Sequence, residues 1–199
     1  MRIQTMGRFK RVTIGPGEFH VSDEAVTIST LLGSCVAVCL YDPVNRIVGM
    51  NHFLLSNRRY SRELPIHISE AGRYGIHAME LLINEMLKLG ANRRFLSAKA
   101  FGGASIMKPS DSADNFACVG AVNCRFVREF LYNEKIQLVA EDLGGESGRM
   151  IHFSNGDFTA YVRKVKQNRT IRLGQRDHDC WLKAIEMQEH TLPAADLWL

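Results

Sequence analysis

The sequence predicts an α/β protein: a layered sandwich of antiparallel or mixed β-sheet with two main helices on one face. Three observations carry that prediction. Several short stretches, among them 35–41, 49–55 and 150–153, are apolar runs or period-two alternations bounded by Gly, Pro, Asn and Asp. Only two long stretches, 76–87 and 120–131, repeat their apolar residues at three- and four-residue steps. These strands and helices do not alternate as they would in a doubly wound parallel sheet.

Composition narrows the class. The chain has 199 residues, 46% of them hydrophobic and 23% charged, enough for one domain with a proper core plus a tail. A net charge of +4 falls short of a nucleic-acid footprint and has no aromatic-basic motif beside it. No run reaches the roughly 18 apolar residues of a membrane span, and the first residues lack the apolar core of a secretory signal. Five cysteines, an odd number without regular spacing, fit a reducing compartment, so a cytoplasmic location is expected. No cofactor or metal motif stands out. The expected organisation is a flexible N-terminus at 1–12, a domain at 13–167 and a C-terminal tail at 168–199.

In chain order, residues 12–14 and 25–28 read as short strands separated by Gly15-Pro16-Gly17 and Ser22-Asp23 turns. Residues 35–41 and 49–55 form a hairpin around Asp42-Pro43 and Asn45. The polar, arginine-rich stretch 56–69 reads as a long surface loop. A helix follows with Ile76, Met79, Leu82, Ile83, Met86 and Leu87 inward and Gly90 as its stop. Residues 94–101 read as a buried strand ending in Gly102-Gly103, a pair that permits close backbone approach. After a polar loop at 111–117, a second helix carries Phe126, Val127, Phe130 and Leu131. A strand at 136–140 and a hairpin of 150–153 with 158–164 around Asn155-Gly156 close the domain.

The first hairpin places chemistry. Cys35 stands where the Gly33-Ser34 loop enters its strand, and His52 lies on the partner strand. A two-residue loop, Pro43-Val44, pairs Cys35 with His52 directly. A loop of 43–46 pairs Cys35 with Leu54 and leaves His52 as a same-face diagonal neighbour, about 7–8 Å away between Cα atoms. Only a three-residue loop separates the two onto opposite faces. A thiol beside an imidazole is the minimum set for thiol nucleophilic catalysis. The other role open to Cys35 is that of a small buried hydrophobe, which is how Cys39 reads.

The run Leu32-Gly33-Ser34-Cys35-Val36-Ala37-Val38-Cys39-Leu40-Tyr41-Asp42, followed by Asn51-His52-Phe53, resembles the CheD family of bacterial chemoreceptor glutamine deamidases. Further segments match in order: Gly17-Glu18 with Val21-Ser22, Arg73-Tyr74-Gly75 with Ala78-Met79-Glu80, Ala98 to Ala104, and Glu141-Asp142-Leu143-Gly144-Gly145 with Arg149. The resemblance implies a sandwich of Cys–His deamidase type. It implies hydrolysis of receptor glutamines to glutamates, with Cys35 as nucleophile and His52 as base. It places Gly33, Ser34, Asn51, Gly102 and Gly103 in or near the substrate site. The family's threonine, about six residues before the cysteine, corresponds to Ser29, with Thr30 beside it; either hydroxyl can orient the imidazole. The family often shows Ile-Gly-x-Arg-Asn where this chain has Val119-Gly120-Ala121-Val122-Asn123, so that arginine is missing. The implied partners are the cytoplasmic helices of chemoreceptors and a CheC-type phosphatase.

Two other functions are compatible with the same residues: a non-catalytic adaptor for receptors or a CheC-type phosphatase, and a transglutaminase-like acyl transfer. In the tail, Asp177-His178-Asp179-Cys180 has metal-ligand residue types without zinc spacing and reads as solvated. Trp181 and Ile185 are expected to pack as a short helix on the domain, because two exposed tryptophans would be a liability.

Overall fold

The computed structural model describes residues 1–6, 9–55, 70–106 and 115–191. In order the elements are β1 (Arg2–Met6), β2 (Phe9–Thr13), β3 (Phe19–Ser22), β4 (Val26–Leu32), β5 (Val36–Asp42), β6 (Ile47–Asn51), α1 (Glu70–Lys88), β7 (Ser97–Gly102), α2 (Val119–Asn133), β8 (Gln137–Leu143), β9 (Arg149–Ser154), β10 (Ala160–Lys164) and α3 (Gln167–Thr191). The strands form two five-stranded sheets, ordered β1-β2-β4-β9-β10 and β3-β6-β5-β7-β8. Each is mostly antiparallel with one parallel pair, β2 with β4 and β7 with β8.

Strand periodicity divides the core into two layers. On β5 the side chains of Val36, Val38 and Leu40 enter a cluster with Met79, Leu82, Ile83 and Met86 of α1 and Phe126, Val127 and Phe130 of α2. Cys35, Ala37 and Cys39 face the other way, into a second cluster with Ile28 and Leu32 of β4 and Ile151 and Phe153 of β9. The order is therefore helices, sheet, sheet. Each buried aliphatic side chain contributes about 1.5–3 kcal/mol relative to exposure, so both layers are substantial. The first hairpin closes with Asp42 opposite Ile47, and a bridge joins Val36 to Phe53 beyond the regular ladder. That is the four-residue loop at 43–46, the register that leaves Cys35 and His52 on one face.

The ends of the chain differ from the sequence expectation. Where a flexible N-terminus is expected at 1–12, the described residues carry two strands: β1 and β2 pair from Arg2 with Thr13 to Met6 with Phe9, and β2 pairs in turn with β4. An edge strand needs no apolar face, so its alternation is faint in sequence. The tail forms a long helix, α3, not a short one. Thr170, Leu173, Asp177, Trp181 and Ile185 are buried along it, at three- and four-residue spacing. Trp181 and Ile185 join the inter-sheet cluster, and Phe116 meets Trp181 edge-on at 5.7 Å. The Asp177 to Cys180 run is not solvated as a whole, since Asp177 has no exposed surface. The loop expected at 56–69, most of the loop at 111–117 and the apolar terminus at 196–199 lie outside the described residues.

Candidate active site between the two sheets

His52 is buried just beyond the end of β6, with its backbone N–H donating to Glu18 O at 2.9 Å and its carbonyl accepting from Gly17 N at 2.7 Å. Thr30 projects from β4 toward it. The Thr30 hydroxyl lies 2.8 Å from the Ile14 carbonyl and 2.7 Å from His52 Nδ1. A hydroxyl has one proton, and the carbonyl can only accept, so the proton goes to Ile14 and the oxygen accepts from Nδ1–H. This fixes the tautomer. Nε2 carries the lone pair, and it has no hydrogen-bond partner among the described residues. Burial, with the nearby Arg176 guanidinium, pushes the imidazole down to about 3, so it is a neutral base.

Ser29, adjacent in sequence, points to the opposite face of β4. Its hydroxyl lies 2.8 Å from Nδ1 of His152, the residue directly across the ladder on β9. Of the two hydroxyls, only Thr30 is brought to His52.

Cys35 is fully buried at the mouth of β5, and its loop is held from four sides. The Cys35 carbonyl accepts from Gly103 N at 2.7 Å, and the Gly33 carbonyl accepts from Ala104 N at 2.8 Å. Asn123 of α2 donates to the Ser34 carbonyl at 2.8 Å and accepts from Leu55 N at 2.9 Å. It thereby ties the cysteine loop to the segment following His52. Asp177 of α3 accepts from Ser34 N at 2.9 Å and from the Ser34 hydroxyl at 3.0 Å. Burial, and then the Asp177 carboxylate, raise the Cys35 thiol far above its ordinary value, against a smaller opposing effect of Arg176.

The Gly102-Gly103 pair makes the close approach possible. Gly102 has φ 110° and Gly103 φ 66°, left-handed conformations that favour glycine. A Cβ on Gly102 would stand 2.2 Å from the Cys35 carbonyl oxygen, and one on Gly103 2.1 Å from Cys124 Sγ. Arg149 locks this corner by donating to Gly102 O at 3.1 Å, Gly144 O at 2.6 Å and Asp142 Oδ1 at 2.9 Å. Asn51 turns away from Cys35. Its Oδ1 accepts from Val38 N at 3.0 Å and its Nδ2 reaches the Ala78 carbonyl at 3.3 Å, so it fastens β5 to α1. Beside His52 a cavity of about 220 Å³ is walled by Gly17, Phe19, Tyr74, His77 and Leu81.

Sequence reasoning did not place Asn123, Arg149 or Asp177 at the site. Asn123 carried a signal, an amide in the middle of an otherwise apolar helical stripe. Asp177 carried one too: it falls in register with Leu173, Trp181 and Ile185, where a carboxylate requires a buried partner.

Comparison with known proteins gives a consistent family. The family model for CheD chemotactic sensory transduction matches residues 60–164. A probable chemoreceptor glutamine deamidase CheD 1 of Geobacter sulfurreducens is 51% identical over 100% of this chain and 99% of its own length. A probable chemoreceptor glutamine deamidase CheD 2 of Shewanella oneidensis is 50% identical over 75% of this chain and 74% of its own. The corresponding protein of Rhizobium meliloti is 42% identical over 88% of this chain and 92% of its own. The match to the Geobacter protein spans the Cys35–His52 hairpin, which precedes the segment matched by the family model. The chain belongs to the CheD family.

Proposed function

We propose that the protein is a cysteine-dependent amidohydrolase that converts glutamine side chains of chemoreceptors to glutamates, with Cys35 as nucleophile, His52 as general base and acid, and Thr30 as the group that orients His52. The observation that carries the reading is the Ile14–Thr30–His52 relay, which leaves an unpartnered basic nitrogen on the face shared with Cys35. A fully buried imidazole nitrogen without a hydrogen-bond partner is uncommon, and here it lies on the same face as a thiol.

The chemistry balances with water alone. Nε2 takes the Cys35 proton, and the thiolate attacks the carboxamide carbon of the glutamine. The Cys35 backbone N–H is the candidate donor to the resulting oxyanion. The imidazolium protonates the amide nitrogen, ammonia departs, and a γ-glutamyl thioester remains. His52 then takes a proton from water as its oxygen attacks the thioester carbon; the C–S bond breaks, the imidazolium returns that proton to the Cys35 sulfur, and glutamate leaves. Gly33, Ser34, Gly102 and Gly103 shape the loop, while Asn51 and Ser29 act on the scaffold. The substrate is a receptor cytoplasmic helix, which carries with it a cytoplasmic location, and a CheC-type phosphatase is a further binding partner within the same reading.

The test is ammonia release from a purified receptor cytoplasmic fragment with no amine added. The wild type should release it and Cys35→Ser should not. Release that requires an added amine would instead favour acyl transfer, and binding without release would leave an adaptor.

A further inference from the structure

We infer that α3 is an intramolecular plug whose Asp177 carboxylate sits on the cysteine loop as a stand-in for the glutamate product, so that the enzyme works only when this helix lifts. The inference rests on the reading of Cys35 as nucleophile and adds to it how access is controlled.

The contacts are those of a product mimic. Asp177 has no exposed surface, and one carboxylate oxygen, Oδ2, takes both the Ser34 N–H at 2.9 Å and the Ser34 hydroxyl at 3.0 Å. The same oxygen would stand 2.5 Å from a Cβ on Gly33, and Leu173 Cγ would stand 3.0 Å from it, so α3 lies directly on the loop. Arg176 ties α3 to the end of β4 by donating to the Leu31 carbonyl at 3.1 Å, and it pairs with Asp177 at 2.6 Å. Trp181 and Ile185 anchor the helix in the inter-sheet layer.

A glutamine side chain entering to meet Cys35 brings a carbonyl oxygen that needs backbone donors of this loop. With α3 seated, Ser34 N–H is already taken, and Cys35 has no exposed surface. The negative carboxylate beside the thiol also opposes thiolate formation. The chemistry that lifts the helix is that of the substrate itself, a helix offering carboxamides and carboxylates that compete for the Ser34 donors.

The experiment is alkylation of the full-length protein with iodoacetamide at neutral pH, followed residue by residue by peptide mass spectrometry. Asp177→Ala and Trp181→Ala should each accelerate modification of Cys35 by about tenfold or more, because a weakened contact raises the open population in proportion. Asp177→Asn, which keeps the shape, should give a smaller acceleration. Cys39, fully buried in the same layer, reports on the sandwich and should stay protected. Cys35 rates unchanged or lowered in the variants would overturn the proposal. So would joint exposure of Cys35 and Cys39, because α3 would then be a part of the core that cannot detach. Alkylation needs no receptor, so the two readings fail separately: faster Cys35 alkylation in variants that release no ammonia from a receptor fragment would keep α3 as the cover over Cys35 and overturn the deamidase reading.

Discussion

Two hydroxyl–imidazole pairs stand back to back on β4. Thr30 meets His52 at 2.7 Å on the inner face and Ser29 meets His152 at 2.8 Å on the outer face. The residue types and distances are nearly the same, so the hydrogen bond alone does not make a site. The inner pair differs in three respects. The Thr30 proton is committed to Ile14, which fixes the tautomer. His52 is held without exposed surface to speak of, while His152 is only partly covered. A thiol shares the face of His52 at the start of β5, whereas His152 looks away from the inter-sheet layer. In the proposed mechanism, pairing sets the orientation of the base, and burial with a thiol on the same face makes it useful.

The largest separation between the pairs should come from removing the imidazoles. His52→Ala should lose a factor of at least ~10² in deamidation from general acid–base catalysis alone, and Cys35→Ser should lose nearly all activity. His152→Ala should keep activity within about twofold, since surface-side changes away from the chemistry are usually mild. The readout is turnover on a receptor fragment, with circular dichroism to verify the fold. A strong loss in His152→Ala would place the second pair in the mechanism.

The hydroxyls should differ by less. Thr30→Ala removes a hydrogen bond worth about 1–1.5 kcal/mol and should lower kcat by about tenfold. Thr30→Ser should recover most of it, and Ser29→Ala should remain near wild type. Equal effects at 29 and 30 would mean that another group orients His52.

The pairs also differ in how they couple to pH. The His52 imidazole is pushed down from 6.5 to about 3 by burial, so the unfolded chain binds a proton that the folded one refuses. Its contribution to stability is complete above pH 6.5 and is lost as pH falls from there toward 3. A His52→Gln variant should therefore show a shallower fall in Tm between pH 7 and 4 than the wild type, by roughly a few degrees. His152→Gln should change the slope less, because its smaller burial shifts it in the same direction from a more accessible position. Identical slopes in wild type and His52→Gln would contradict a neutral, buried His52.

Much of this arrangement was legible in the sequence. The alternation of 35–41 and the turn at 42–46 limited the hairpin to few registers, and the register present keeps Cys35 and His52 on one face. The stripes of α1 and α2 named their core residues directly. The choice between Ser29 and Thr30 was not legible, because position in a motif says nothing about which face of β4 a residue takes, and that is set by pairing with β9. The role of α3 was obscured for a related reason. Its buried stripe contains Thr170, Gly174 and Asp177, so the periodicity that marks a packed helix is diluted by polar and small residues. Asp177 is tolerated there because Ser34, distant in sequence, supplies the donors for Oδ2 and Arg176 those for Oδ1. The edge strand β1 was hidden by its exposure, since neither face needs to be apolar.

Mass spectrometry of a receptor cytoplasmic fragment co-expressed with each variant tests the roles of Cys35 and His52 on the intact substrate. Hydrolysis of a carboxamide exchanges nitrogen for oxygen and adds about 1 Da at each modified glutamine. The account predicts that gain with wild type, Ser29→Ala and His152→Ala, a reduced extent with Thr30→Ala, and none with Cys35→Ser or His52→Ala. A receptor fragment deamidated equally by wild type and by folded Cys35→Ser or His52→Ala would contradict it.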